Sequence, residues 1–154
     1  MAVRAAVPED LAEIEAMIVE LAEFERAPDE VAFDHDALAE HLFGPDPAAG
    51  VLIATADDQP ERVAGMAVWF RTFSTWLGRP GVYLEDLFVR PDFRRRGLAH
   101  QLLDALAERS GGRIEWSVLD WNSEAIAFYD RLGATPVDGW TRYRWLPGSD
   151  TSAH

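Results

Sequence analysis

The apolar positions change period several times along the 154-residue chain, and each change marks the boundary of an element. Residues 2–7 read as a short edge strand. Pro8-Glu9-Asp10 then suits a first helical turn, its acids complementing the helix dipole. Leu11, Ile14, Ile18, Leu21 and Ala22 continue that helix on one face to about Arg26, ahead of Pro28. Residues 36–43 predict a second, short helix closed by Gly44-Pro45. Residues 51–56 and 63–71 predict two strands of a hairpin around the polar tip Asp57-Asp58-Gln59-Pro60, and residues 70–79 a loop or strand end. Leu84, Leu87, Phe88 and Val89 favour a buried strand, which stops near Arg90 because Pro91 cannot continue a central ladder. Leu98, Leu102, Leu103 and Leu106 then recur at helical spacing, with His100, Gln101, Asp104 and Glu108 elsewhere on the wheel, so a helix begins close to Gly97 and ends at Gly111-Gly112. Residues 113–119 predict a strand. Asn122 is suited to cap a helix over Ser123–Leu132 that Gly133 stops, and residues 137–146 predict one or two strands around Asp138-Gly139.

The chain has the length of one domain, and 48% hydrophobic residues suffice for a sizeable core. A single domain over residues 1–147 is expected, with a disordered tail at 148–154. Without cysteine there is no disulfide, no thiol nucleophile and no thiolate metal site. No histidine cluster replaces them, since His35 and His41 are six apart and His100 and His154 lie in no ligand motif, so no metal is expected. The absence of a long apolar run or a basic leader predicts a soluble, cytoplasmic protein that spans no membrane. Acidic residues number 27 against 14 basic, a formal charge of −13, which argues against nucleic acid as a partner. That balance either suits a cationic partner or serves solubility alone.

Against this acidic background the run Arg94-Arg95-Arg96-Gly97 stands out. It lies where a strand hands over to a helix, and the first turn of a helix carries unpartnered N–H groups and partial positive charge. Three arginines add formal charge, and Gly97 permits close approach or positive φ, so the stretch reads as a pyrophosphate cradle. It is neither a Walker loop nor a GxGxxG fingerprint.

Arg94-Arg95-Arg96-Gly97-Leu98-Ala99 matches the R/Q-x-x-G-x-G/A acetyl-CoA signature of the GNAT superfamily of N-acetyltransferases. YLEDLFV at 83–89, Trp121-Asn122-Ser123-Glu124-Ala125-Ile126-Ala127-Phe128-Tyr129 and Arg131-Leu132-Gly133-Ala134 resemble its spermidine/spermine branch, including the thialysine-acetylating relatives. The similarity runs from Arg4 to about Trp145. It implies an α+β fold with a mixed, mostly antiparallel sheet of about six or seven strands flanked by helices, and acetyl-CoA bound at a splayed strand pair. The reaction implied is direct transfer, in a ternary complex, to a primary amine of a small cationic acceptor: a polyamine, a diamine or a lysine-analogue side chain. A homodimer is implied as well, with residues 140–145 as apolar interface.

The resemblance also distributes roles. Backbone N–H groups of Leu87, Phe88 and Val89 hold the pantetheine, and Arg94, Arg95, Arg96, Gly97, Leu98, Ala99 and His100 form the cradle. Asn122, Ala125, Phe128 and Tyr129 complete the cofactor set. Phe24, Glu25, Trp76, Glu85, Trp116 and Asp138 line the acceptor pocket. An amine with pKa near 10.4 is neutral in only roughly one molecule in 2,500 at pH 7, so a base is required. Glu85 matches that base, with simple amine binding as the other reading, and Tyr129 matches the acid for the leaving thiolate. Asp86 points to the opposite face if the strand is regular. Two departures stand out: Phe24 replaces a tyrosine, and Ser74 an aspartate. Two alternatives stay open, a non-catalytic acyl-CoA-binding or regulatory module and an acetyltransferase with an aminoglycoside or protein-lysine acceptor.

Overall fold

The computed structural model describes residues 2–148, which fall into two compact units that divide after Ser117. The expected disordered tail falls, apart from Gly148, outside the described residues.

In the first unit five strands form one sheet in the order β1 (Ala2–Ala5), β2 (Gly50–Ala56), β3 (Gln59–Ser74), β4 (Arg79–Val89) and β5 (Ile114–Glu115). Every pair is antiparallel except β4 with β5, which is parallel. The first hairpin tip is tighter than its sequence predicts, since Ala56 pairs with Gln59 and only Asp57-Asp58 turn. The stretch 70–79, expected as a loop or strand end, is mostly strand. Its turn is Thr75 to Gly78, with Gly78 at φ 66° and its N–H donating to the Ser74 carbonyl at 2.8 Å.

Three helices pack on this sheet: α1 (Leu11–Phe24), α2 (His35–Phe43) and α3 (Leu98–Ser110). A 3-10 turn over Pro8–Asp10 precedes α1, and buried Asp10 anchors it by accepting from the Val7 N–H at 2.8 Å and from the Arg4 guanidinium at 2.7 and 2.9 Å. Alternation along β2 serves both faces. Val51 and Ile53 join Ile14, Met17, Val63, Met66 and Phe88 under α1, while Ala56 joins Ala64, Phe93 and Leu98 under α3, where Leu102 and Leu106 are fully buried. Arg90, just past β4, pins α1 to the strand end. It meets Glu13 at 2.7 Å and Glu20 at 3.1 Å, and donates to the Val63 carbonyl at 3.0 Å. Its three acceptors satisfy the guanidinium where it is largely shielded from water.

Among the described residues there are five strands where six or seven were expected, because one predicted strand is cut to two residues and another lacks a ladder. Of residues 113–119 only Ile114 and Glu115 pair, with Val82 and Tyr83. β4 is irregular immediately beyond, at Glu85, and a straight parallel neighbour cannot follow it. Residues 137–146 form no strand. In their unit the described residues offer only the helix α4 (Ser123–Leu132), so there is no strand to pair with, and Trp140, Tyr143 and Trp145 stand 75%, 90% and 81% exposed. Asn122 caps α4 as its sequence predicts, accepting from the Ala125 N–H at 3.2 Å, and Gly133 ends it at φ 95°.

Candidate active site

The site begins with the break in β4. Asp86 pairs with Val68 and Leu84 with Trp69, so Glu85 is an extra residue without a partner, a β-bulge. The bulge inverts the side-chain phase. Leu84 shares a face with Trp69, whereas Asp86 shares the α1 face with Val68, Met66 and Phe88. Asp86 is therefore half-buried on that face, and Glu85 is exposed.

Electrostatics mark Asp86 out. Burial pushes its carboxyl up to about 6, and the charges of Glu85 and Glu25 push it the same way. Glu25, the residue that caps the end of α1, is also held above the ordinary glutamate range by burial. Three carboxylates thus share one neighbourhood, and their mutual repulsion is relieved by a bound cation or a proton. Asp86 was not among the sequence-predicted site residues. Its only sequence signal is its place next to Glu85, and that signal becomes informative only once the bulge is known.

The second half of the site is the turn from β4 into α3. After a 3-10 turn over Pro91–Phe93, Arg95 takes φ 61° and Gly97 φ 78°, and Gly97 serves as the N-cap of α3 with no side chain capping the helix. The first-turn N–H groups of Leu98, Ala99 and His100 therefore face a space without a capping group. A Cβ built on Gly97 would have only Gln101 Nε2 near it, at 3.8 Å. Buried Phe93 fixes the loop beneath the guanidinium groups of Arg62 and Arg96, 4.9 and 5.4 Å from its ring centre. The three arginines divide their work. Arg96 pairs with Asp58 at 2.9 Å, Arg94 donates to the Val89 carbonyl at 2.9 Å, and Arg95 makes no ion pair among the described residues. Beyond Tyr83 no described strand pairs with the β5 side of β4, so the backbone of Leu87 to Val89 has no ladder partner on that side. This uncapped, glycine-started helix end and the open strand edge fit a pyrophosphate and its pantetheine arm.

Other predicted residues lie apart or in the second unit. Trp76 sits 88% exposed on the β3–β4 turn, and the strand from Arg79 to Glu85 alone spans about 20 Å. Along the sheet it thus stands apart from the acids. Trp116 is half-buried directly after β5, next to Ser117, whose Oγ lies 3.0 Å from the Tyr83 hydroxyl. In the second unit Phe128 and Tyr129 pack edge to face at 5.5 Å on α4, and Asp138 is exposed in the extended segment. Among the described residues no cluster could hold a metal ion, and no helix is long and apolar enough to cross a membrane.

A mixed sheet whose fourth strand lacks a ladder partner near the uncapped start of a helix, with carboxylates near the strand's bulge, suits a coenzyme A-dependent acyltransferase. The model of the acetyltransferase (GNAT) family matches residues 13–134, and the chain belongs to that family. It is similar to the thialysine N-epsilon-acetyltransferase of Caenorhabditis elegans, at 39% identity over 89% of this chain and 86% of the relative. Its likeness to the enzyme of the same name from Sus scrofa is 34% over 93% and 91%. An integron cassette protein from the mobile metagenome of V. cholerae shares the fold at a TM-score of 0.75 and 23% identity, over 96% of this chain and 93% of that one. The chain is an N-acetyltransferase with acetyl-CoA as co-substrate.

Proposed function

We propose that this enzyme acetylates a primary amine of a small cationic acceptor, a polyamine, a diamine or a lysine-analogue side chain, by direct transfer in a ternary complex. The observation that carries this reading is the group of Asp86, Glu85 and Glu25 around the β4 bulge, because three carboxylates attract a cation and one of them is tuned toward neutrality. The thialysine acetyltransferase relatives support it.

Acetyl-CoA supplies the activated acyl group. The first-turn N–H groups of Leu98, Ala99 and His100 with Gly97 and Arg95 are suited to hold its pyrophosphate, and the open edge at Leu87 to Val89 its pantetheine. Glu25 and Glu85 draw in the ammonium, and Asp86 takes its proton. Raising the base from 3.8 to about 6 narrows the gap to an amine of pKa ~10.4 by about 3 kcal/mol, or roughly 100-fold in proton-transfer equilibrium. Asp86, half-buried on the α1 face of the bulge, is assigned as the base, with Glu85 as the other reading. Tyr129 is assigned the proton that a departing thiolate requires, since a phenol of pKa near 10 suits that task. Tyr129→Phe is expected to lower kcat roughly 10- to 100-fold with acetyl-CoA binding intact, and unchanged turnover in a stopped-flow assay would remove this role.

Both units belong, in this reading, to one acetyltransferase domain, since the family match crosses residue 117. The enzyme is assigned to the cytoplasm, which recovery of activity in the soluble cell fraction would check. It is also assigned as a homodimer. Val137, Trp140, Tyr143 and Trp145 are too exposed and too apolar for a segment left in water, and a second copy is the partner of matching chemistry. Light scattering should give twice 17.2 kDa; a monomer at micromolar concentration overturns this.

The deciding experiment is release of CoA from acetyl-CoA with spermidine, spermine, putrescine, thialysine, lysine, an aminoglycoside and a lysine peptide. Preference for one of the small amines is expected. Preference for the aminoglycoside or the peptide would move the acceptor class, and tight CoA binding without any turnover would favour a non-catalytic module.

A further inference from the structure

We propose that Arg94 fastens the acceptor side of the site to the cofactor loop, acting as a positioning residue and not as a phosphate ligand. This rests on the proposed acceptor site at Glu25 and Asp86. Arg94 opens the acetyl-CoA signature, yet its Nε donates at 2.9 Å to the carbonyl of Val89, the last residue of β4. Its guanidinium carbon lies 5.1 Å from the ring centre of Phe24 and 5.8 Å from that of Phe88. The carbonyl sets the orientation of the planar group, and two aromatic rings attract its charge.

The two rings belong to the carriers of the acceptor carboxylates. Phe24 is the last residue of α1 and adjoins Glu25, while Phe88 lies two residues beyond Asp86 on the same face of β4. On its other side Arg94 leads directly into Arg95 and Gly97, the two left-handed residues that shape the cradle. One side chain therefore spans from the loop to the end of α1. The replacement of a family tyrosine by Phe24 fits this arrangement, because the face of the ring is what the guanidinium uses.

The consequence is a division of labour among adjacent arginines. Arg94→Gln removes the cation from between the rings and should raise the amine KM about three- to tenfold, while the Kd for CoA by calorimetry changes less than twofold. Arg95→Gln should do the reverse. Phe24→Leu should reproduce Arg94→Gln, and the double variant Arg94→Gln/Phe24→Leu should be no worse than either single change. Phe24 variants keep the test open if Arg94→Gln folds poorly.

Three results would overturn the proposal. CoA affinity falling in Arg94→Gln as it does in Arg95→Gln would make Arg94 a phosphate ligand. Additive effects on the amine KM would break the link to Phe24. A lower Tm with both KM values unchanged would leave only a structural role. The calorimetric arm needs no amine, so a failure of the acceptor reading appears separately, as an amine KM indifferent to Glu25→Gln and Asp86→Asn.

Discussion

Asp86→Asn is expected to lower kcat/KM for the amine by about 10²- to 10³-fold at pH 8 and, in the same protein, to raise the melting temperature. Both effects come from one shift. Burial, Glu85 and Glu25 together raise this carboxyl from 3.8 to about 6, so the fold binds its proton more tightly than the unfolded chain does. A group shifted upward stabilises the fold below its unfolded value. That contribution is lost as pH climbs from about 4 to about 6, and above 6 the charged carboxylate is a standing cost of at most about 3 kcal/mol. Asparagine carries no charge to desolvate. A gain of about 1–3 kcal/mol at pH 7.5 corresponds to several degrees in Tm, and at pH 4, where Asp86 is largely protonated, the gain should nearly vanish.

Activity has the opposite sign of pH dependence. Only the ionised carboxylate attracts an ammonium and accepts its proton, so kcat/KM of the parent should fall as pH drops through about 6. Thermal scans at pH 4 and 7.5 with a pH–rate profile decide the matter. A Tm lower than the parent's at both values would make Asp86 a structural residue. Turnover spared in Asp86→Asn and lost in Glu85→Gln would return the base to Glu85.

Asp86 also shows what the sequence could and could not express. The start of α3 was legible because only glycine takes φ 78° without strain at an uncapped helix end, and the cap Asn122 was legible because its side chain acts within three residues. Those are local constraints. The bulge is not local: YLEDLFV alternates like an ordinary strand, and the slip that turns Asp86 toward α1 exists only as a register between β3 and β4. Residues 137–146 fail for a related reason. Their composition favours a strand, but a strand needs a partner, and propensity does not name one. The division of the arginine run was hidden too, because Asp58, Val89 and Phe24, which engage Arg96 and Arg94, come from three separate parts of the chain.

Gly97→Val is expected to raise the KM for acetyl-CoA by about 30- to 100-fold while leaving the amine site chemically intact. Two costs fall on this position. A left-handed backbone is strained by roughly 1–2 kcal/mol for a residue with a Cβ, and more for a β-branched one. A Cβ there also meets only Gln101 Nε2, at 3.8 Å, so a branched side chain finds room at the start of α3 and is expected to crowd an anion held by the N–H groups of Leu98, Ala99 and His100. Strain alone would lower Tm, and blockage alone would weaken CoA. Gly97→Asn separates them, because asparagine tolerates the left-handed region and should retain much of the parent's stability while still losing part of the CoA affinity. Calorimetry with CoA on both variants reads the outcome. Unchanged affinity in Gly97→Val would show that the pyrophosphate does not lie at the start of α3. Equal affinity of Gly97→Asn and the parent would assign the whole effect to the backbone.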